Sequence, residues 1–341
     1  MCKTSILFAT RVILVTYKVL LVVGALWITV ACTSGAGARF SAASQDGLHE
    51  PFKEWQVIDT ATGQPLSLNQ WTALLLRQDI IYLGEEHHNR FHIDAAMTVL
   101  RRLKAEGRVP VLAMEMFGWD GQAALDQYLS GSPVNRQEFL EAVRWQQNWG
   151  GPYEDYEPLV LLAKEQHWVV DAMNPPKALV KIVAKNGLAR AQSDPMMAQW
   201  GMKDDAIVDD PIYRTRILQQ LQACHGGGAD SLYQTMFEAS MVRDEGMAKT
   251  LVHRLNQIRS GTGPMAGPLV SYTGGGHIQY NLPVPKRVAR RLTDQVRQVS
   301  VYMTSFEVGR IEELQDMIRG KIADYLWLTP VSTQGPPRRC R

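Results

Sequence analysis

The chain of 341 residues carries 36 lysines and arginines against 34 aspartates and glutamates, a net charge of +2, and 45% of its residues are hydrophobic. That is enough for one large or two modest domains at about 150 residues each, with a self-sufficient core, and the near-balanced charge gives no electrostatic reason to expect a nucleic-acid partner. Its four cysteines include Cys2 and Cys32, leaving Cys224 and Cys340, a pair that an oxidising compartment could join but too few for a disulfide framework.

Lys3, Arg11 and Lys18 surround the start of an apolar run from Val19 to Ala31 that ends at Cys32. This is the layout of a secretory signal over 1–31. Small Ala31 before Cys32 suits a bacterial lipoprotein processing site, in which the cysteine is acylated, although Thr29 stands where that class usually has Leu. The competing reading is an uncleaved anchor, because residues 12–31 approach membrane-spanning length with only Lys18 charged. Either way the remainder is expected outside the cytoplasm: lipid-anchored in the bacterial cell envelope, with the outer membrane as the expected site. Without the leader the net charge is −1, since residues 1–31 hold three basic and no acidic residues.

Residues 32–50 are small and polar and read as a flexible tether. The folded domain is expected over 51–330, followed by a disordered tail at 331–341. Short apolar runs at Ile80 to Leu83, Val109 to Met114, Trp168 to Val170, Leu269 to Tyr272 and Val299 to Met303 predict buried strands. Amphipathic helices at Ile93 to Ala105 and Lys177 to Ala184 lie between some of them. Strands alternating with helices imply an α/β fold with a mostly parallel sheet flanked by helices. Two helix-like stretches, near 120–165 and 190–260, break the alternation and predict helical additions forming a smaller helical subdomain.

Polar residues cluster where the predicted strands end: Gly84-Glu85-Glu86-His87-His88-Asn89, Glu115-Met116-Phe117, Asp171 to Pro176, and Thr273-Gly274-Gly275-Gly276-His277. Parallel sheets bind ligands outside the carboxyl ends of their strands, where helix N-termini converge. Glu85, His87, Glu115 and His277 are the residue types that hold a divalent metal and equally those that exchange protons in hydrolysis. The bland alternative is that the glutamates cap helices and His87 sits in a tight turn. Gly274 to Gly276 allow close backbone approach to a bound group. His92 could reach the same cleft or lie on a first helical turn, Cys224-His225-Gly226-Gly227-Gly228 reads as a loop, and His88, His167 and His253 read as ordinary surface or core residues.

The run Tyr82 to Asn89 with His92 resembles the opening motif of the ChaN-like haem-binding lipoproteins of the Tiki superfamily. Four further blocks follow in order: Glu115-Met116-Phe117 with Gln122, Tyr128, Leu129 and Gly131; Tyr156 to Ala163 with Asn174-Pro175-Pro176; Ala239 with Arg243 to Ala248; and Gly276 to Tyr280 with Pro285. Lys177 stands where the family tends to have arginine, and His88 where an acidic residue is common. The resemblance implies haem as cofactor, a role in haem or iron uptake, and a cleft completed by homodimerisation. It also implies a tyrosine iron ligand with histidine nearby. Tyr280 is the residue carried over as ligand, with His277, Gly276, His87 and His92 around the haem. Met114, Met116, Phe117, Trp119 and Tyr272 could line such a pocket, or equally a core.

The wider superfamily supplies an alternative. It includes metal-dependent peptidases and erythromycin esterase-like hydrolases that share a Gly-Glu-x-His opening and a later Gly-x-x-His, as at Gly84 to His87 and Gly274 to His277. Glu85, Glu115, His87 and His277 would then hold a divalent metal or activate water. No Gly-x-Ser-x-Gly element supports a covalent serine mechanism.

Overall fold

The computed structural model describes residues 52–261 and 267–332. The expected signal, the tether with Cys32, and Cys340, which could pair with Cys224, lie outside the described residues. Among the described residues no helix is long and apolar enough to cross a membrane.

Eight strands form one sheet: β1 (Val57–Asp59), β2 (Gln64–Leu66), β3 (Ile80–Glu85), β4 (Val111–Gly118), β5 (Val170–Asn174), β6 (Leu269–Gly274), β7 (Gln298–Ser305) and β8 (Tyr325–Thr329). Their order is β2-β1-β8-β7-β3-β6-β4-β5. From β8 to β5 every neighbouring pair is parallel, while β1 runs antiparallel to both β2 and β8. The mostly parallel α/β architecture expected from the sequence is therefore what the chain adopts. β1 and β2 escape sequence reading because they are three residues long, and β2 contains Pro65, tolerated at a sheet edge where no ladder bond is lost.

Two strands run further than their apolar stretches suggest. β4 extends through Glu115, Met116 and Phe117 to Gly118, and β5 begins at Val170 and takes in Asp171. Asp171 therefore lies inside a buried strand, where Arg254 neutralises it through two hydrogen bonds of 2.8 and 2.5 Å. A carboxylate in a strand defeats an apolar-run criterion whenever its countercharge comes from elsewhere in the chain.

Helices α1 (Leu68–Leu75), α2 (Arg90–Ala105), α3 (Gln122–Leu129), α4 (Arg136–Ala142), α5 (Trp145–Asn148) and α6 (Glu157–Glu165) follow the first strands. Several start on side-chain caps: Ser67 and Gln70 close a capping box on α1, and Asn89 accepts from Phe91 N to begin α2. Trp71, Ile93, Val99, Leu159 and Val160 pack with Ile81, Leu83, Leu112 and Met114 on one face of the sheet.

The stretch after β5 forms α7 (Lys177–Asn186), α8 (Leu188–Ala191), α9 (Pro195–Gln199), α10 (Pro211–His225) and the 30-residue α11 (Asp230–Arg259); α12 (Val284–Arg291) and α13 (Ile311–Arg319) come later. The second half of α11, with α12 and α13, covers the opposite face, where Met247, Leu251, Val284, Val288 and Leu314 meet Ile80, Tyr82, Val111 and Ala113. The first half of α11 packs with α7, α9 and α10 in two smaller apolar clusters. Consecutive residues of β3 and β4 thus serve opposite faces, as the two-residue period of a strand requires.

Gly246 sets how closely α11 approaches the turn after β5. A Cβ at this position would collide with Pro175 Cγ and stand 3.1 Å from Trp119 Cη2. Exchanging a mid-helix glycine for alanine ordinarily stabilises a helix by roughly 0.5–1 kcal/mol. Here overpacking reverses the sign, and Gly246→Ala is expected to lower stability by about 1–3 kcal/mol in urea unfolding.

Candidate functional site

β6 lies between β3 and β4, with Glu85 opposite Gly274 and Met114 opposite Tyr272. This order sets Glu85, Thr273, Gly274 and Glu115 side by side at the carboxyl edge of three adjacent strands. Pleating then sends the two glutamates to opposite faces, so each collects its partners from a different helical layer.

Glu85 is buried. Its Oε2 accepts from Tyr272 Oη at 2.7 Å, and its Oε1 accepts from Tyr156 Oη at 2.9 Å and lies 2.8 Å from His87 Nδ1. Burial, and after it the Glu85 charge, push both phenols above their usual range and keep them neutral donors. Burial opposes protonation of His87, but its bond to Glu85 and the charges of Glu85 and Glu115 outweigh that and raise its pKa. The ring is half-exposed, stands edge-on to Trp149 at 4.9 Å, and has no hydrogen bond to Nε2 among the described residues.

Glu115 serves the other layer. Its Oε2 accepts from Thr273 Oγ1 at 2.6 Å and from Gly274 N at 2.7 Å, while its Oε1 binds Arg243 and lies 3.3 Å from His277 Nε2. His277 Nδ1 is 2.6 Å from Asp244 Oδ1, and Tyr213 Oη donates to Asp244 Oδ2 at 2.6 Å. Burial alone would raise the Glu115 pKa, but His277 and Arg243 hold it well below the usual carboxylate range. Burial alone would lower the His277 pKa, but Glu115 and Asp244 carry it up to about 9. The two networks meet at Gly274, where a Cβ would stand 2.7 Å from His87 Cε1 and 3.5 Å from Glu115 Oε2.

Every carboxylate oxygen of Glu85 and Glu115 faces a hydroxyl, an amide, a guanidinium or an imidazole, and the four predicted residues come together in two hydrogen-bonded networks. Among the described residues no group of three His, Cys, Asp or Glu side chains is arranged to hold a metal ion.

Beside them opens a cleft of about 400 Å³ lined by His87, His88, Asn148, Trp149, Asn174, Pro175, Lys177, Val180, Lys181, Ala184 and Arg243. His88, read from sequence as ordinary, belongs to this wall and pairs with Asp155 at 2.7 Å. His277 sits behind Arg243 rather than in the wall. Gly276 faces Gln220 of α10. His92 is fully buried and accepts from Glu86 N at 2.9 Å, which makes it part of the turn after β3. Tyr280 packs beneath the Arg216 guanidinium, 3.8 Å from ring centre to charge, and its N donates to Ile322 O. It lies outside the cleft wall. Met114, Met116, Phe117 and Tyr272 are core residues, and Trp119 donates to Met173 O and Thr250 Oγ1.

Arg243, Asp244, Trp149 and Tyr156 were not singled out by spacing or composition. Arg243, Asp244 and Tyr156 stand in the ordered blocks of the family resemblance, which was their one signal. Trp149 had none.

The fold and site describe an α/β protein with a ligand cleft at the carboxyl edge of a parallel sheet. The family model for haem-binding uptake proteins of the Tiki superfamily, ChaN, matches residues 71–288, and the chain belongs to that family. Among solved structures, it is similar to the ChaN protein of Campylobacter jejuni, described by its cofacial haem binding, with 17% identity, a TM-score of 0.61, and coverage of 80% of this chain and 96% of that one. A Bacillus cereus protein shares 13% identity at a TM-score of 0.40, covering 75% and 72% of the respective chains. An erythromycin esterase mutant in its open conformation shares 15% at 0.41, covering 74% and 77%. No curated protein matches the sequence.

The buried ion network has a pH signature. His277, raised from its usual 6.5 to about 9, contributes stability that is complete below 6.5 and lost as pH rises through about 9. Glu115, lowered from 4.5, contributes stability that is complete above 4.5 and lost as pH falls through its folded value. Both contributions are at full strength between 4.5 and 6.5. Urea unfolding should therefore weaken by on the order of 2 kcal/mol between pH 6.5 and about 10, and His277→Gln should remove most of that slope.

Proposed function

We propose that the protein binds haem in the cleft beside Glu85 and His87, as an envelope lipoprotein working in haem or iron uptake. The observation that carries this reading is a cleft in which a carboxylate-oriented imidazole, His87, stands against apolar surface from Trp149, Pro175, Val180 and Ala184. Glu85 accepts the hydrogen bond of an Nδ1–H and leaves Nε2 as the outward nitrogen, the same device by which outer carboxylates prepare metal-binding histidines. Haem, when bound, supplies an iron that accepts an imidazole or phenolate donor. His87 is the donor the geometry favours, with His88 as the second imidazole of the wall. Tyr280, whose ring is engaged with Arg216, is the less suitable candidate. Family membership supports haem as the ligand. A second copy closing the cleft, as the family resemblance implies, and a lipid anchor at Cys32 complete the proposal.

Titration of the purified chain with haemin should give a saturable Soret shift, and His87→Ala should change that spectrum and weaken affinity tenfold or more, while Tyr280→Phe leaves it unaltered. An altered spectrum in Tyr280→Phe with none in His87→Ala would return the iron to Tyr280; no saturable shift at all would end the haem reading. Cys32→Ala should release the protein from the membrane fraction, and retention there would favour an uncleaved anchor.

One observation favours a second reading, in which the site hydrolyses a carbonyl substrate. Glu85 and His87 form a carboxylate–imidazole pair at the cleft edge, in the arrangement of a general base and its orienting group, with Arg243 near enough to the wall to meet developing negative charge. The saturated glutamate oxygens favour a metal-free route over the divalent-metal one. Steady ester hydrolysis that is lost in Glu85→Gln and insensitive to chelator would support this reading over haem carriage.

A further inference from the structure

The cleft has an uneven charge. Three of its lining residues are the basic Lys177, Lys181 and Arg243, and among the described residues no acidic side chain lines it. The neighbouring acids are turned away: Glu85 faces its tyrosines, Asp155 faces His88, and Glu115 takes one nitrogen of Arg243 from behind. Lys177 and Lys181 lie one turn apart at the start of α7, both exposed and without an ion pair among the described residues. The Lys177 Nζ reaches only the Trp149 carbonyl, at 3.5 Å.

Two buried polar groups in the same wall lack partners. Asn174 is 9% exposed, and its Oδ1 has no hydrogen bond among the described residues. Arg243 Nε is buried and likewise unbonded. Buried polar groups are nearly always satisfied; the Arg243 Nε–H is a spare donor suited to an anion, whereas Asn174 Oδ1 is an acceptor that calls for a donor. Gly246, one turn beyond Arg243, lets α11 close onto Pro175, and Arg243 and Asn174 both line the cleft.

We propose that Lys177, Lys181 and Arg243 form a carboxylate-binding subsite that reads the anionic edge of the cleft's ligand. The inference rests on the haem reading, under which that edge is the pair of porphyrin propionates. Arg243 is the fixed element, because Glu115 anchors it through one nitrogen and leaves the other donors unengaged by that contact. The two lysines are the adjustable ones, since their long stems and free heads suit a carboxylate whose position varies. Recognition then depends on the porphyrin periphery as well as on its iron, so metal-free porphyrin is also a ligand.

The test uses the full chain in detergent with three probes: haemin, metal-free protoporphyrin IX and haemin dimethyl ester, which lacks the two charges. Haemin and protoporphyrin IX should both saturate the site, and the ester should bind at least tenfold more weakly. Lys177→Gln combined with Lys181→Gln should weaken haemin binding about tenfold and leave the ester unchanged, and Lys181→Glu alone should act in the same direction. These lysines are exposed, so circular dichroism of the variants should match the parent. Equal affinity for haemin and its ester, or variants that leave haemin unchanged or lower both ligands alike, would overturn the subsite while the haem reading stood. Failure of both haemin and protoporphyrin IX to bind would overturn the haem reading and the subsite together.

Discussion

Two carboxylates, Glu85 and Glu115, are buried at the edge of three adjacent strands, and the surroundings are arranged to replace the water they have lost. Moving such a group out of water costs several kcal/mol even after relaxation, and the cost is offset only when its remaining lone pairs are filled. For Glu115 the filling comes from a strand hydroxyl, a strand amide, a helix guanidinium and a turn imidazole, residues 128 to 162 positions away in the chain. For Glu85 two phenols and a nearby imidazole do the same. Such groups meet only if β6 inserts between β3 and β4 and α11 lies across the opposite face. The polar edge therefore specifies the topology as firmly as the apolar layers do, and it penalises alternatives that would leave a buried acid unpaired.

The run Arg243-Asp244-Glu245 shows how this constraint reaches into the helical region. Three successive charges in the middle of a helix ordinarily mark a solvated face. Here Asp244 and Glu245 are 1% and 0% exposed. Helical spacing turns consecutive side chains about 100° apart, and each finds a different neighbour: Arg243 meets Glu115, Asp244 meets His277 and Tyr213, and Glu245 meets Arg287, Arg290 and Arg291 of α12. One turn of α11 thus ties together the sheet edge, α10 and α12. The glycine that follows, Gly246, lets the same turn close on the loop after β5.

What the sequence made legible follows the range of each signal. The central strands and the flanking helices announce themselves through local periodicity, and the polar strand ends through residue types that turns seldom repeat. Strand order is nonlocal, and so is the fact that Glu85 and Glu115 recruit separate partners; the four residues therefore read equally well as a metal set until Tyr156, Tyr272, Thr273 and Arg243 are seen to occupy their oxygens. Tyr280 illustrates the same limit. The resemblance carries Tyr280 over as an iron ligand; in the structure its backbone is left-handed, φ 57°, and its ring packs against Arg216 near the end of α13, surroundings that no local pattern discloses. Trp149 had no sequence pattern and Lys181 only that of its helix, so neither read as a site residue: the wall is made by a loop and one helical edge that meet only in the folded chain.

The internal saturation of the glutamates and the charge of the cleft are two sides of one arrangement. An acid that faces the cleft would cancel the field of Lys177, Lys181 and Arg243, and an acid left unpaired behind it would take up a proton or demand a metal. By turning Glu85 toward phenols and Glu115 toward His277 and Gly274 N, the fold keeps both acids within reach of the imidazoles and of Arg243 while withholding them from the ligand. Arg243 is held from behind by a single carboxylate oxygen, which fixes its position without using all of its donors. The cleft therefore presents one oriented imidazole, an apolar wall and an unopposed positive edge, a combination suited to a flat apolar ligand that carries its own negative charge on one side.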